Sequence, residues 1–387
     1  MSRTQKSKRR HVARNAALVI LSLIIMLFIL EIVFRTTHLF GARISWREPD
    51  PLMGWRSTPN STYWYIKENN HPVIGRNNSF GWRDKERTLV KPENTYRIAV
   101  LGDSFVEALE VEFDSTFLAI AERQLNATSD THIEVMNFGR IGMTQTEEYI
   151  LLQEEVVRFA PDMITVLFWP QNDIADVHPR TAINQLRPFY QMSADGGLIL
   201  DTSFAEKRQY KLKKALHPFK QHSALLSLLL ERYGVLRWRM RESQLSNAKT
   251  TPTSLTGYLS LCTAQPEPIY AENYQLNKLL IKAMAEYCSD RNIRFMLIGA
   301  TTVYKTEDLA QKLEINPTFN ADFFDEDLSA HTDSLHAEYL GLHQKFAGYY
   351  QETGRSLTWS HWNYAGHRVV AAEFSRKVQQ VTPDIFQ

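Results

Sequence analysis

The segment that most limits how this chain can fold is AALVILSLIIMLFILEIVF, at residues 16 to 34, which carries a single charge at Glu31. Its 19 residues come close to the roughly 20 that a membrane-spanning helix needs. A cleaved signal peptide has a shorter apolar core of about 7 to 15 residues, and no clear small-residue cleavage site follows this segment. The sequence therefore predicts an uncleaved transmembrane anchor at residues 16–35.

The residues before this anchor predict its orientation. Residues 1–15 contain six Lys and Arg side chains and no acid, and a basic flank of this kind stays in the cytoplasm. We therefore expect a single-pass protein of the cytoplasmic (inner) membrane, with its N-terminus inside and its main domain periplasmic or extracellular. The membrane is accordingly an expected partner of the N-terminal helix.

The remaining composition argues against several other classes of protein. The chain has 387 residues, of which 44% are hydrophobic and 22% charged, so it can bury a sizeable core in one large domain or two ordinary ones. Its formal net charge of +1 gives no support to a nucleic-acid partner. Cys262 and Cys288 lie in no Cys/His cluster, so no metal site is predicted. The two cysteines either pair in an oxidising compartment or remain free thiols.

From residue 96 onwards, apolar strand patterns alternate with helical patterns. This alternation is typical of a parallel sheet that is covered by helices on both faces. The predicted strands span residues 96–101, 133–138, 163–168 and 293–298. Thr144 and Glu147 form a capping box for one helix, and Asn363 can cap the last helix. Ligands of such sheets bind at the carboxyl ends of the strands.

Two further segments surround or interrupt this domain of residues 96–387. Residues 36–95 are rich in turn-forming and aromatic residues, so we expect a lead-in that packs on the main domain. Residues 175–272 are too long for a simple crossover and predict a largely helical insertion. The insertion carries a basic stretch and then an apolar one, EKRQYKLKKALHPFKQH and SALLSLLLERYGVLRW. It forms either a lid over a substrate or a helical decoration with a solvated basic face.

Four short motifs, each at a strand end or in a loop, supply the groups that acyl transfer needs. Ser104 in GDSF follows the first strand, and His361 in HWNYAGHRVVA precedes the last helix. A serine hydroxyl becomes a good nucleophile when a base takes its proton, and histidine suits that task near neutral pH. Gly142 in NFGRIGMTQTEE and Asn172 in FWPQNDIAD, together with the Ser104 N–H, can donate to an oxyanion. His367 is an alternative base, but it is predicted to lie inside the helix in a structural role.

These motifs resemble those of the SGNH/GDSL superfamily of serine esterases, whose name comes from its Ser, Gly, Asn and His residues. Ser104, Gly142, Asn172 and His361 match those four residues, and NSFGWRDKE and WNYAGHRVVAAEF resemble membrane-anchored bacterial members. The resemblance implies a flavodoxin-like three-layer α/β/α sandwich with a parallel sheet, no cofactor, and ester hydrolysis or acyl transfer. It also implies an O-acylated envelope carbohydrate as the substrate, with O-acetyl as the expected group, or another ester.

One departure from the family pattern concerns the acid that orients the histidine. The family places an aspartate two or three residues before the histidine, where this chain has Trp359 and Thr358. Either a backbone carbonyl orients His361, which is the expected case, or a distant acid does so, or the domain has lost activity. The main hypothesis is a membrane-anchored serine esterase or O-acyltransferase that uses Ser104 and His361.

Two alternatives belong to other functional classes. The first is a catalytically inactive domain that binds glycan or a protein partner, which the missing aspartate favours. The second is an interaction protein whose basic insertion touches lipid head groups, which the Lys and Arg residues between positions 207 and 220 favour.

Overall fold

The computed structural model describes residues 3–37, 45–66, 68, 71–193, 195–247, 255–300 and 306–386. The described chain begins with one long helix, α1 (Arg3–Thr37). Within it, the most apolar 18-residue stretch of His11–Thr37 has a mean hydropathy of 3.0 and is not buried inside the protein. A helix of this length and hydropathy can cross a membrane, and a signal sequence near an N-terminus has the same properties. The helix is thus compatible with the predicted anchor.

The lead-in forms two antiparallel hairpins, and a buried arginine holds the second of them against the main domain. Arg83 is 2% exposed, and its Nε donates to the Tyr63 hydroxyl at 2.5 Å. The same guanidinium donates to the carbonyl oxygens of Glu107 and Val111 at 2.8 and 2.5 Å, just after the first strand of the main sheet. The hairpin strands are β1 (Arg47–Asp50) with β2 (Gly54–Ser57), and β3 (Thr62–Tyr65) with β4 (Val73–Arg76).

The main domain is built on a five-stranded sheet in the order β11-β10-β7-β5-β6, in which all neighbours are parallel. Counted in chain order from β5, this is the flavodoxin-like order 2-1-3-4-5, whose switch point lies between β5 and β7. The insertion adds a short antiparallel hairpin, β8 with β9. The strands are β5 (Thr95–Gly102), β6 (His132–Gly139), β7 (Met163–Phe168), β8 (Phe189–Met192), β9 (Leu198–Asp201), β10 (Arg294–Gly299) and β11 (Glu338–Gly341).

Helices cover both faces of this sheet because successive side chains of each strand point to opposite sides. On β5, Ala99 and Leu101 pack in the layer of α4 and α8, whereas Ile98 and Val100 pack in the layer of α3 and α12. The helices are α2 (Ser104–Glu107), α3 (Phe117–Asn126), α4 (Gln145–Glu154), α5 (Pro170–Asp176), α6 (Arg208–Lys220), α7 (Ala224–Asn247), α8 (Pro268–Ser289), α9 (Thr306–Ile315), α10 (Phe323–Ser334), α11 (His343–Thr353) and α12 (Tyr364–Val381).

The predicted three-layer α/β/α class is confirmed, and the four predicted strands are present with ends that differ by at most one residue. Both predicted caps are also confirmed: Thr144 forms its capping box with Glu147, and the Asn363 side chain caps α12. The sequence did not reveal β11, which has only four residues and lies at the sheet edge. The helix that begins after Thr144 ends at Glu154, and a 3₁₀ turn follows it.

Candidate active site

Ser104 lies where β5 ends and the chain turns into the short helix α2. Gly102 ends the strand without a side chain, since a Cβ there would lie 2.4 Å from Val106 Cγ2. The Asp103 carboxylate accepts the Phe105 N–H at 2.9 Å and so caps α2. Ser104 is therefore held, partly exposed, at the carboxyl edge of the sheet beside the switch point.

His361 reaches Ser104 from the far end of the chain. Its Nε2 lies 2.8 Å from Ser104 Oγ, which is within hydrogen-bond distance. The Asn363 side chain, two residues later, caps α12 and so fixes where that helix begins. The imidazole ring also packs against the Phe105 ring, with the two centroids 4.9 Å apart. The predicted nucleophile and the predicted base are thus adjacent.

The other nitrogen of His361 faces a carboxylate from the lead-in. Glu68 Oε1 lies 2.6 Å from His361 Nδ1, and Glu68 Oε2 accepts the backbone N–H of His361 at 2.9 Å. Oε2 also accepts the Ser360 N–H at 3.3 Å. The Glu68 side chain is 8% exposed, so this charge is largely removed from water. Glu68 therefore fixes both the ring and the loop that carries it.

The electrostatics of this pair favour an ionised Glu68. Burial alone would raise the pKa of Glu68, but the hydrogen bonds from the His361 side chain and backbone lower it to about 2. Burial by itself lowers the pKa of His361. The hydrogen bond with Glu68 has the opposite effect, and so do the negative charges of Glu110, Glu68 and Asp103. Together they outweigh burial, so the pKa of His361 is raised above 6.5. With Glu68 ionised, Nδ1 carries the proton and donates, so Nε2 of the neutral ring accepts from Ser104.

Gly142 and Asn172 lie at the same edge and are connected through their neighbours. Asn172 Nδ2 donates to Asp103 Oδ2 at 2.9 Å, and a longer contact of 3.4 Å reaches the Met143 carbonyl. Met143 follows Gly142, whose φ of +72° lies in the left-handed region that favours glycine. A Cβ at Gly142 would meet nothing within 4 Å, so the space beside this turn is open.

Arg187, from the insertion, holds the Gly142 turn in place. Its guanidinium donates to the Gly142 carbonyl at 3.0 Å and to Thr144 Oγ1 at 3.3 Å, and it forms an ion pair with Glu147. The Arg187 and Glu147 side chains are only 4% and 3% exposed. Burial lowers the pKa of Arg187, but the charges of Glu147 and Asp176 outweigh it, so that the pKa is raised.

Three buried carboxyl groups lie behind the site. Burial is the largest cause of the raised pKa of each, to about 6 for Asp103 and well above the usual range for Glu148 and Asp173. Repulsion between the carboxylates adds to this effect, and Gln145 Nε2 donates to both Glu148 and Asp173. These three carboxyl groups are therefore harder to ionise than exposed ones.

The structure brings Ser104 and His361 together, but the orienting group differs from the expected one. A backbone carbonyl at His361 Nδ1 was the expectation, and it is wrong because the Glu68 carboxylate occupies that position. Glu68 follows the strand β3 in the lead-in and belongs to no strand-end motif. A single acid in WYIKENNH gives no sequence signal, since only the folded lead-in brings it to the site.

The other residues that the sequence singled out, His367 and the two cysteines, are buried. His367 is fully buried in α12, where its Nδ1 accepts the Phe117 N–H at 3.2 Å and its Nε2 lies 2.9 Å from Glu110 Oε1. Cys262 and Cys288 are both buried free thiols rather than a disulfide. Among the residues that the structure describes, no cluster of three or more His, Cys, Asp or Glu side chains is arranged to hold a metal ion.

Comparisons with known proteins add little to this geometry. No protein-family model matches the chain, and no curated protein matches it. A solved structure from Desulfitobacterium hafniense, described as a lipolytic protein of the G-D-S-L family, is similar at 13% identity and a TM-score of 0.35, over 73% of this chain and 98% of its own. An acetylxylan esterase from Geobacillus stearothermophilus is similar at 13% identity and a TM-score of 0.39, over 73% and 94%. An α/β hydrolase enzyme from the metagenome of Lake Arreo gives the same four values as that esterase. Similarity at this level does not establish a common activity.

Proposed function

We propose that this protein is a serine ester hydrolase or acyl-transfer enzyme, with Ser104 as nucleophile, His361 as base and Glu68 as the orienting acid. The observation that carries the proposal is the continuous line of contacts from Ser104 Oγ to His361 Nε2 at 2.8 Å and from His361 Nδ1 to Glu68 Oε1 at 2.6 Å. A nucleophile within reach of a base that is itself oriented by a third group is the arrangement of covalent acyl transfer.

The proposed chemistry proceeds in two halves. His361 Nε2 takes the Ser104 proton as Oγ bonds to the ester carbonyl carbon, and a tetrahedral oxyanion forms. The C–O bond to the leaving alcohol then breaks, and His361 returns the proton to that alcohol, which leaves an acyl group on Ser104. Water or a second alcohol, deprotonated by His361, attacks the acyl-enzyme and regenerates the serine. Water gives hydrolysis, and a second alcohol gives acyl transfer.

Glu68 supports both halves through His361. An ionised carboxylate at Nδ1 holds the tautomer in which Nε2 can accept a proton, and it stabilises the imidazolium that forms afterwards. Its low pKa, about 2, keeps it charged across the range in which His361 titrates. Because the missing aspartate was the reason for considering an inactive domain, the Glu68 carboxylate removes the feature that favoured that alternative.

The oxyanion is proposed to be stabilised by the backbone N–H groups of Ser104 and Gly142 and by the Asn172 side chain. The 3.4 Å contact from Asn172 Nδ2 to the Met143 carbonyl is long for a hydrogen bond, so that N–H is the one available to an oxyanion. The shorter hydrogen bond, from Asn172 Nδ2 to Asp103, would hold the side-chain amide in position while it donates to the oxyanion. Donors fixed in advance in this way act mainly on the transition state.

The proposed setting is the outer side of the inner membrane, with α1 as the anchor. The proposed substrate is an O-acylated, in the first instance O-acetylated, carbohydrate of the cell envelope. The substrate class follows from the resemblance of the four motifs to the SGNH/GDSL esterases, and the setting follows from the apolar and basic pattern at the N-terminus.

Labelling with a fluorophosphonate serine probe tests the proposal directly, because the probe needs an activated serine but neither the natural acyl group nor an acceptor. We expect wild-type protein to be labelled and Ser104→Ala to be unlabelled, with parallel results for hydrolysis of p-nitrophenyl acetate. Ser203→Ala, at an exposed serine outside the site, is the matched control and should react like wild type. Wild-type protein that shows no labelling, and no hydrolysis above Ser104→Ala, would contradict the proposal.

A further inference from the structure

The helices α6 and α7 of the insertion carry apolar side chains that the domain does not cover. On α7, Leu229, Tyr233, Leu236 and Met240 are 58%, 58%, 56% and 57% exposed. Their spacing of four, three and four residues places them in one stripe along the helix. The buried residues of α7, which are Ala224, Ser227 and Leu228, lie on the other side of the helix. The stripe therefore lies on the side of α7 opposite to the buried residues of its first turns.

Charged residues are arranged around this stripe in a regular way. By helical periodicity, Arg232 and Arg239 lie along one border of the stripe, and Arg237 and Arg241 lie along the other. The two acids of α7, Glu231 and Glu242, lie on the opposite face. Val235 and Trp238, which are 44% and 46% exposed, lie toward this opposite face as well, so the exposed apolar surface of α7 extends beyond the stripe. Exposed apolar side chains flanked by Lys and Arg are the composition of a helix that lies in a membrane surface.

The helix α6 also has an apolar face with basic borders, although it contains no acid and Lys214 lies on its opposite face. Leu212 and Phe219 are 58% and 65% exposed and share a face with Leu216, while the buried Tyr210 lies on the other side. Lys211 borders this face on one side, and Lys213 and Lys220 border it on the other. Residues 208 to 243 contain nine Lys and Arg side chains against two acids, so the hairpin of α6 and α7 is strongly basic in a chain whose net charge is only +1.

The start of α7 is attached to the outer end of α1. Glu31 accepts the backbone N–H groups of Ala224 and Leu225 at 2.9 and 3.0 Å, together with the Ser223 hydroxyl at 2.8 Å. Arg35 donates to the His222 carbonyl at 2.7 Å. An acid from α1 thus caps α7. If α1 crosses a bilayer, α7 must begin at the level where α1 leaves it.

We propose that α6 and α7 lie on the surface of the bilayer that α1 enters, with their apolar stripes among the lipid tails and their Lys and Arg side chains on anionic headgroups. A second copy of the chain fits the same stripe poorly. The spacing of Leu229, Tyr233, Leu236 and Met240 matches a coiled-coil seam, but the residues beside that seam are arginines, which would face the arginines of an identical partner. Anionic lipid headgroups would attract the positive charge of these arginines, whereas a second copy of the chain would bring the same positive charge and repel it.

The test uses the full-length protein reconstituted into liposomes. Tyr233→Cys carries an environment-sensitive fluorophore within the stripe, and Glu242→Cys carries it on the opposite face as the matched control. The native Cys262 and Cys288 are buried, and burial raises the pKa of each thiol to about 12, so they compete poorly for the label. Lipids with a spin label at a shallow tail position quench only a fluorophore that enters the bilayer.

In vesicles with about one third phosphatidylglycerol, we expect several-fold stronger quenching at position 233 than at position 242. Vesicles of phosphatidylcholine alone, or the double variant Arg237→Glu and Arg239→Glu, should reduce the quenching at position 233.

Equal quenching at the two positions would overturn the proposal. A blue-shifted emission at position 233 without quenching by lipid would also overturn it, because it would indicate contact with protein. Ser104→Ala should behave as wild type, so failure of the proposed enzymatic activity leaves this result unaffected.

Discussion

Glu68 is the residue whose substitution most directly separates a catalytic from a structural interpretation of the site. Glu68→Gln preserves the shape of the side chain but removes the charge at His361 Nδ1 and presents an amide that can fix the wrong tautomer. In chymotrypsin, replacing the orienting aspartate by its amide lowers kcat by about 10⁴. We expect a fall in kcat of about 10³- to 10⁴-fold here, with little change in KM.

The matched control is Glu206→Gln, at a carboxylate whose side chain is 80% exposed and lies outside the site. It should leave both kcat and Tm unchanged. A Glu68→Gln protein that is folded, judged by its Tm, and turns over at the wild-type rate would show that the carboxylate does not orient the base.

The pH dependence of the reaction reports on the same contact. Only neutral His361 can take the Ser104 proton, so kcat/KM should fall as the pH drops through the His361 pKa, which is raised above 6.5. Glu68→Gln removes the hydrogen bond that is the largest contribution raising this pKa, so the inflection should move to lower pH. A pH profile that keeps its inflection in the variant would indicate that another group titrates.

Asn172 tests the proposed oxyanion hole. Asn172→Ala should lower kcat on a small acetyl ester by about 10²- to 10³-fold with a modest change in KM, because the amide acts mainly on the transition state. Loss of a purely structural contact would instead lower Tm while leaving kcat of the folded fraction intact. An unchanged kcat, in a protein where Ser104→Ala is inactive, would exclude Asn172 as a donor.

At the scale of secondary-structure elements, the sequence reveals what is encoded locally. The buried strand before Ser104, the capping box of Thr144 with Glu147, and the cap at Asn363 all depend on neighbours within a few residues, and each is present. Glu68 depends instead on how the lead-in hairpins pack on the domain. No periodicity or spacing near position 68 records that packing, and so the contact between Glu68 and His361 could not be predicted.

Arg187 shows how an element of the insertion contributes to the stability of the site. Arg187→Met would leave the buried Glu147 carboxylate without its ion pair and the Gly142 carbonyl without its donor. We expect the free energy of unfolding to fall by about 3 to 5 kcal/mol, the usual cost of breaking a buried pair. Urea denaturation measures this change, and kcat should fall as well because the Gly142 turn loosens.

Arg180→Met is the control, since Arg180 and its partner Glu272 are 63% and 45% exposed. An exposed ion pair contributes only about 0 to 1 kcal/mol, so this variant should unfold almost like wild type. Equal effects of the two substitutions would mean that the Arg187 pair is not the buried contact described above.

At the scale of the whole molecule, the decisive question is the side of the membrane on which the domain lies. The basic residues before α1 predict a cytoplasmic N-terminus, so a C-terminal alkaline phosphatase fusion should be active and a C-terminal green fluorescent protein fusion dark when exported through the general secretion route. The opposite pair of results would place the domain in the cytoplasm. Moving the basic residues from before α1 to after it should reverse the pattern.

The position of Glu68 has a consequence for how such a protein could be switched off. If Glu68 orients His361, the reactive serine and histidine come from one part of the chain and their acid from the stretch that ties this part to α1. A protease that cuts before Trp46 would break the covalent link to α1 but leave a competent catalyst, with α6 and α7 as its remaining contact with the bilayer. A cut between Glu68 and β5 would leave Glu68 attached to the domain only by noncovalent contacts. The lead-in that connects the domain to α1 would then also be the segment at which cleavage inactivates the proposed enzyme.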